Sequence, residues 1–321
     1  MKRIGVLTSG GDSPGMNACI RVVVRTGISL ELKVIGIKRG YTGLIDGEIE
    51  QMGARSVDGI IQRAGTILQT ARCEEFKTIH GRRKALRKLN EYGIEGLVVI
   101  GGCGSLKGAL ELHKMGFPVV GVPASIDNDI CGTDMSIGTD TALNTALDAI
   151  DKIKETGSSH GRAFLVEVMG RNCGYLALMA AIAGGAEVVL IPEKEIALEE
   201  VAEILEQAYI KGKAHALVVI AEGAKCKTSE VAAYLQKEEV GFEVRTTILG
   251  HVQRGGSPSA FDRLLATRLG ASAVQKLAKG VRGMMVGLIG NKIKTTSLEL
   301  VTERRKELDI TLYDMAEVLA K

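Results

Sequence analysis

The stretch from Gly96 to Asp129, GLVVIGGCGSLKGALELHKMGFPVVGVPASIDND, constrains this chain more than any other. An apolar run from Leu97 to Ile100 feeds a glycine turn at Gly101, Gly102 and Gly104, and the pattern predicts a helix from about Ser105. A second apolar run, Val119 to Val122, ends in a polar cluster that holds Asp127 and Asp129 two residues apart. Buried strand, glycine turn, helix and buried strand together are the layout of a phosphate site in an open α/β sheet. The glycines let a ligand approach the backbone, and free N–H groups at the helix start favour an anion. Carboxylates at the end of the next strand would face the same crevice. Cys103 is the residue out of character.

The same alternation runs along the chain. Ile4 to Leu7 reads as a strand entering the loop TSGGDSPGMN, and Asn17 to about Leu30 as a helix. Val34 to Ile37 is a strand, RGYTGLIDGEI is turn-rich, and GTILQTARCEEF sets Arg72 and Cys73 at the end of a β-like run. His80 to Leu89, and Asp140 to about Lys154, read as helices. Strands follow at Ala163 to Val168 and Glu187 to Ile191, with a small-residue helix from Cys173 to Ala183 between them. Leu198 to Ala208 is a helix, KGKAHALVVIAEG holds a strand, and Phe242 to Leu249 is another. A helix from about Ala260 to Ala278, a hairpin around Gly290-Asn291 and a terminal helix complete the pattern. Strands alternating with helices predict a doubly wound, mostly parallel α/β fold in two layers. Length allows one large domain or two, and a change of domain is expected near Gly138.

Composition narrows the function. The chain of 321 residues has 40 glycines, well above the roughly 7% norm. That excess suits tight turns and close backbone approach to a ligand. Scarce aromatics and the lack of Trp argue against a stacking platform for single-stranded nucleic acid, and a net charge of +3 does not by itself imply a DNA-binding surface, local basic clusters staying open. The six cysteines form no C-x-x-C pair or zinc spacing, so free thiols in a reduced, cytoplasmic protein are expected. No apolar run approaches a membrane span.

The glycine loop TSGGDSPG is neither a P-loop nor G-x-G-x-x-G, and it is either an ordinary turn or a phosphate loop. Arg72, Arg162, Arg171, Arg245 and Arg254 are expected near strand ends or glycine turns. Five such guanidinium groups fit a phosphorylated substrate, although any one of them alone reads as solvated. Arg21, Arg25, Lys211 and Lys213 are either a second anion site or exposed helix charge. Asp127 and Asp129 suit a base for a hydroxyl, a water-mediated Mg²⁺ site, or simply a polar turn.

Taken together, TSGGDSPGMN, AGTILQTARC, GGCGS, PASIDND, EVMGR, AEG and GHVQRGGSP resemble, in order and over nearly the whole chain, the bacterial ATP-dependent 6-phosphofructokinase family. The resemblance implies transfer of the γ-phosphoryl group of MgATP to the 1-hydroxyl of fructose 6-phosphate, a reaction governed by positioning and charge neutralisation. It implies an ATP-binding domain, residues 1–138 with 251–303, and a sugar-phosphate domain, residues 139–250 with 304–321. By the same resemblance Asp127 would be the catalytic base beside Ser125, and Arg72 and Arg171 would stabilise the moving group. ATP would be held by Gly11, Tyr41, Arg72 and Cys73, and by Gly102, Gly104, Ser105 and Gly108, with Cys103 in the same turn. Fructose 6-phosphate would be held by Arg162, Met169, Gly170 and Arg171, and by Glu222, Arg245, His251 and Arg254, two arginines coming from a neighbouring subunit of a homotetramer. An effector site for ADP or phosphoenolpyruvate would fall on Arg21, Arg25, Lys154, Glu187, Lys211 and Lys213. Gly104 and Ala124 match the ATP-using rather than the pyrophosphate-using type.

The main departure is Cys103, where the family carries a Mg²⁺-binding Asp. A thiol is a poor ligand for a hard cation, leaving Asp129 as the metal carboxylate. By analogy with removing one preorganised electrostatic group, a rate loss of roughly 10²–10³ is expected. Thr139, Asn172 and Lys107 are further departures, read as peripheral. Two functions follow from this pattern: a phosphofructokinase with an unusual metal site, or a weakly active relative that binds sugar phosphate or nucleotide and regulates a catalytic partner.

Overall fold

The computed structural model describes residues 1–157 and 161–320. In chain order its first elements are β1 (Arg3–Ser9), α1 (Met16–Ser29), β2 (Lys33–Ile37), α2 (Gly40–Asp46), β3 (Ile49–Met52) and α3 (Ile79–Glu91). Next come β4 (Gly96–Gly101), α4 (Cys103–Lys114), β5 (Val119–Pro123), α5 (Thr139–Gly157), β6 (Arg162–Val168) and α6 (Tyr175–Gly184). Then follow β7 (Val188–Leu190), α7 (Leu198–Ile210), β8 (His215–Ala221), α8 (Thr228–Lys237), β9 (Glu243–Ile248) and α9 (Ala260–Ala278). The hairpin β10 (Met284–Ile289) and β11 (Lys292–Ser297) precedes α10 (Leu298–Glu303) and α11 (Thr311–Ala320).

Packing divides the chain into two compact units, Met1–Thr141 with Arg254–Lys306, and Ala142–Gln253 with Glu307–Lys321. The first holds a seven-stranded sheet in the order β11-β10-β5-β4-β1-β2-β3. Only its outermost strands, β3 and β11, run antiparallel to their neighbours. Side chains alternate across it. Ile4, Val6, Val98 and Ile100 join one buried cluster with Ile20 and Val23 of α1 and Leu265 and Leu269 of α9. Leu7, Leu97 and Val99 face the other way, onto Leu89 of α3, Leu106 of α4 and Leu298 of α10. A strand buried on both faces must be apolar at every position, which is why its sequence is a run rather than an alternation. From β1 the sheet grows one way to β2 and the other way to β4, so the carboxyl ends of β1 and β4 flank a topological switch point, the place where such sheets bind ligands.

The second unit holds four parallel strands in the order β7-β8-β6-β9. Val218, Ile220 and Leu165 pack there with Val201 and Leu205 of α7 and Val231 of α8. Among the described residues no helix is long and apolar enough to cross a membrane.

Two readings of local structure need correction. The turn-rich stretch after β2 contains the helix α2 and the strand β3. Its three glycines suggest turns, but Tyr41, Leu44 and Ile45 are buried and hold the short helix on the core. The segment around Ile67 to Cys73 is irregular rather than β-like, and scattered bonds to backbone and side chains replace a ladder: Arg39 N–H donates to the Leu68 carbonyl and Gln69 N–H to that of Thr66. Thr8 Oγ1 donates to the Gln69 carbonyl, and the Asn17 side chain binds the carbonyls of Arg63 and Gly65 and the N–H of Ile67. Helices α8 and α10 were not anticipated, because each places only two or three apolar residues on its buried face.

Candidate active site

The glycine turn of the first unit is a helix start. Gly102 caps α4 in an extended conformation, and the N–H groups of Ser105 and Leu106 turn back onto its carbonyl. Tyr41 lies across this turn, its hydroxyl donating to the Ser105 carbonyl at 2.6 Å and its ring stacked on Phe76. A Cβ on Gly108 would stand 2.6 Å from the Tyr41 ring, so glycine is required for α4 to pass beneath it. Ser105 Oγ is buried at the helix start with no hydrogen-bond partner among the described residues. A hydroxyl in that condition, among helix N–H groups, suits an anionic ligand oxygen.

The first glycine loop comes next to it at the end of β1. Arg254 donates to the Asp12 carbonyl at 3.1 Å, and a Cβ on Gly11 would sit 2.7 Å from its guanidinium. Arg254 therefore stands against the loop expected to bind nucleotide. Arg72 is exposed and its carbonyl lies 3.5 Å from Thr42 Oγ1, while Cys73 packs half-buried against the core face that includes Tyr41 and Phe76.

After β5 the chain makes a tightly held turn. Asp127 is 5% exposed, and its N–H donates to Ser125 Oγ at 3.2 Å. Asn128 adopts a left-handed φ of 53°, a strained choice for a residue with a side chain. Its buried amide makes the conformation hold by donating to the Asp134 carbonyl and accepting from Ser136 N–H. Asp129 is anchored from the other side, its carbonyl accepting from the N–H of Lys306 at 3.2 Å.

Cys103 and Asp129 meet, with Sγ 3.7 Å from Oδ2. Burial, the Asp129 charge and this contact push the thiol up to about 12, partly offset by Arg305. Among the described residues no cluster of three or more His, Cys, Asp and Glu side chains stands ready for a metal. The donor set is thus one hard carboxylate and one protonated thiol. Mg²⁺ fits it only as an ion that takes a single carboxylate and fills its shell with water and phosphate oxygens.

The second unit sorts its candidate residues onto opposite ends of one sheet. At the carboxyl ends of β6 and β8, Glu222 Oε1 accepts from the N–H groups of Gly170 at 3.2 Å and Arg171 at 2.7 Å. Arg171 is exposed with a left-handed φ of 52°. Met169 N–H donates to the buried Gln253 side chain, and His251 lies exposed two residues before it. Arg162 and Arg245 are elsewhere. Arg162 opens β6 opposite Glu243, and Arg245 sits inside β9 opposite Phe164. Both pair with Glu243, whose carboxyl is held below its usual range first by the Arg162 hydrogen bond. Seven residues of strand, on the order of 20 Å, separate Arg162 from the Met169–Arg171 turn. Arg162 thus stands at a strand end, as the sequence suggested, whereas Arg245 lies inside β9 rather than at a strand end or in a glycine turn.

A family model described as phosphofructokinase matches residues 3–277. The chain belongs to the phosphofructokinase family. It is similar along its full length, and theirs, to the proteins of Halalkalibacterium halodurans (52% identical) and Thermus thermophilus (53%), named ATP-dependent 6-phosphofructokinase and ATP-dependent 6-phosphofructokinase 1. Among solved structures it is similar to Pichia pastoris phosphofructokinase in the T-state, 37% identical with a TM-score of 0.91. That match covers 99% of this chain and 36% of the yeast chain.

This phosphofructokinase chain also carries a cavity of about 430 Å³ in its second unit, walled by α6, α7, β7 and α11. Three of the six expected effector residues, Glu187, Lys211 and Lys213, line it. Lys213 donates to Glu187 Oε1 at 3.0 Å, and Leu217 N–H holds the other oxygen. Lys154 donates to the Gly184 carbonyl. Arg21 and Arg25 are on α1 in the first unit, Arg25 exposed 4.0 Å from Asp58.

Sequence reasoning missed several residues that shape the candidate site of this phosphofructokinase chain. Asn128, between the two aspartates, and Ser136 do as much to shape the turn after β5 as Ser125 does. Thr139 is not peripheral, since its hydroxyl donates to the Ser125 carbonyl at 2.9 Å. Glu243 was overlooked although it stands two residues before Arg245. The signal for Asn128 was its place in the run IDND, where a residue tolerant of left-handed backbone separates two carboxylates.

Proposed function

We propose that this chain transfers the γ-phosphoryl group of ATP to the 1-hydroxyl of fructose 6-phosphate, giving fructose 1,6-bisphosphate and ADP in glycolysis. The reading is carried by the turn after β5, which holds the buried carboxylate of Asp127 on a fixed backbone and meets the start of α4 where Asp129 contacts Cys103. Full-length similarity to proteins named for this activity supports it. Asp127 accepts the proton of the attacking hydroxyl. The start of α4 and the first glycine loop bind the nucleotide phosphates, and Arg72 and Arg171 offset charge on the group in transfer. The first unit, Met1–Thr141 with Arg254–Lys306, serves as the nucleotide domain and the second, Ala142–Gln253 with Glu307–Lys321, as the sugar-phosphate domain, each boundary within about three residues of that expected from the sequence.

Asp129 would hold Mg²⁺, which supplies charge neutralisation on the phosphates when bound. Cys103 contributes no oxygen there and lowers turnover relative to a two-carboxylate site. The same substitution supports the second reading, a weakly active regulatory relative. Retention of Asp127, Arg72, Arg171, Glu222 and His251 favours the enzyme, because a chain released from catalysis need not keep its base.

Glu222 with Met169, Gly170, Arg171 and His251 binds the sugar phosphate, and Ser125 and Arg254 are assigned the same role from the family resemblance. Arg162 and Arg245, at the other end of β6 and on the sheet edge β9, serve a neighbouring copy in a homotetramer. The cavity at Glu187, Lys211 and Lys213 takes ADP or phosphoenolpyruvate as effector, and Lys154, Arg21 and Arg25 are assigned the same role from the family resemblance. Lysines in place of bidentate guanidinium make that response weak. The protein works in the cytoplasm.

Product analysis with fructose 6-phosphate and either MgATP or Mg-pyrophosphate tests this. Fructose 1,6-bisphosphate should form with ATP alone and vanish in Asp127→Asn. Formation with pyrophosphate alone, or undiminished formation by Asp127→Asn, would overturn it.

A further inference from the structure

The carboxylate of Asp262 is fully buried in the first turn of α9 and none of the roles above uses it. Its oxygens accept three hydrogen bonds from a distant stretch of chain: Gly138 N–H at 2.8 Å, Thr141 N–H at 2.8 Å and Thr141 Oγ1 at 2.5 Å. Ser259 reinforces the same junction, its N–H donating to Thr141 Oγ1 and its hydroxyl to Asp140. The N–H groups so satisfied belong to the start of α5, which would otherwise leave them orphaned. Asp262 thus caps a helix 121 residues earlier in the chain.

The capped segment is the clamp of the catalytic turn. Ser136 Oγ and Thr139 Oγ1 both donate to the Ser125 carbonyl, at 2.7 and 2.9 Å, and are 3.0 Å from each other. Ser125 N–H donates in turn to the Ile137 carbonyl, and Ser136 N–H donates to the Asn128 side chain. Both backbone groups of Ser125, and the side chain of Asn128, are therefore set by residues 136–139, whose far end is fixed by Asp262. Between Ser125 and Asn128 lies Asp127.

From this relay we infer that Asp262 is a positioning residue for phosphoryl transfer, holding residues 136–141 so that the Ser125–Asn128 turn presents Asp127 in reactive geometry. The inference rests on the reading of Asp127 as the base. A charge is needed because three donors converge on one carboxylate. An amide in its place would aim N–H groups at a donor, and the clamp would shift.

The test uses Asp262→Asn, Thr141→Val and Thr141→Ser in the full-length protein, with rates expressed per nucleotide-binding site. Misplacement of a reacting group by about 1 Å costs up to ~10²-fold, so kcat should fall by about that factor in Asp262→Asn and about tenfold in Thr141→Val. Thr141→Ser, which keeps the hydroxyl, should restore kcat. KM for ATP and for fructose 6-phosphate should stay within about twofold, because the turn moves without dismantling either binding surface. A lowered melting temperature with unchanged kcat would reduce Asp262 to a structural residue and overturn the inference. Equal rises in both KM values at constant kcat would do the same. Should Asp262→Asn fail to fold, the Thr141→Val and Thr141→Ser pair decides alone. Asp127→Asn separates the two ideas. If it keeps turning over, the base assignment fails; if it is dead while Asp262→Asn and Thr141→Val are fully active, only the positioning role fails.

Discussion

Cys103 Sγ lies 3.7 Å from Asp129 Oδ2, so a thiol flanks the carboxylate that we propose holds Mg²⁺. Replacing that thiol by a carboxylate gives two oxygen donors at the same place. We expect Cys103→Asp to reach half-maximal rate at roughly 10- to 100-fold less Mg²⁺ than the unmodified protein, the scale on which metal sites respond to lost or gained support. Titration of rate and of Mg²⁺-dependent nucleotide affinity checks this. An unchanged Mg²⁺ requirement would mean Cys103 does not face the metal.

The same thiol gives a pH prediction. Its pKa rises from an ordinary 9.0 to about 12, chiefly by burial. The folded state therefore favours the proton more than the unfolded chain does. Stability from this difference is complete below pH ~9 and is lost as pH rises from there toward ~12. Unfolding curves of Cys103→Ser should accordingly lose less stability over that window than those of the unmodified protein. Alkylation of Cys103 at about pH 8 should also be far slower than that of a free cysteine, because the thiolate is the nucleophile. Rapid labelling at Cys103 would contradict both expectations.

Two glycines of α4 should respond in opposite ways. A Cβ on Gly104 meets nothing within 4 Å, whereas one on Gly108 strikes Tyr41. Gly104→Ala should stabilise the fold by about 0.5–1 kcal/mol through chain entropy. Gly108→Ala should destabilise it by about 1–3 kcal/mol through overpacking. Denaturant midpoints check both. A longer side chain, as in Gly104→Leu, should leave the fold intact and raise the KM for ATP at least about tenfold by steric loss of binding.

Glu222 holds the Gly170–Arg171 backbone through one oxygen. Hydrogen bonds to a charged acceptor are worth about 1.5–3 kcal/mol each, so Glu222→Ala should raise the KM for fructose 6-phosphate tenfold or more. Glu222→Gln, which keeps an acceptor, should suffer less, and the KM for ATP should change in neither. Steady-state kinetics with each substrate varied in turn decides it.

The sheets were legible because their central strands are buried on both faces and read as apolar runs, Leu97 to Ile100 and Val119 to Val122 among them. Helix α9 was legible to the residue, since its Ser259 cap and long apolar face agree. Less visible were elements fixed by tertiary contact: α2, whose glycines mask three buried apolar residues, and the irregular 65–73 segment held by Asn17 and Thr8. Within the site, the glycines and acidic residues announce themselves by type. The clamp of Asn128, Ser136, Thr139 and Asp262 does not, because what defines it is pairing, with partners up to 124 residues away, and not the type of its members. Periodicity cannot report such pairs.

Formation of fructose 1,6-bisphosphate from fructose 6-phosphate and MgATP by the unmodified protein, measured beside Cys103→Asp at saturating Mg²⁺, is the most direct test. We expect turnover by both, with the unmodified protein slower. Turnover by Cys103→Asp alone would contradict the enzyme reading and mark this chain as a silenced relative on an intact scaffold.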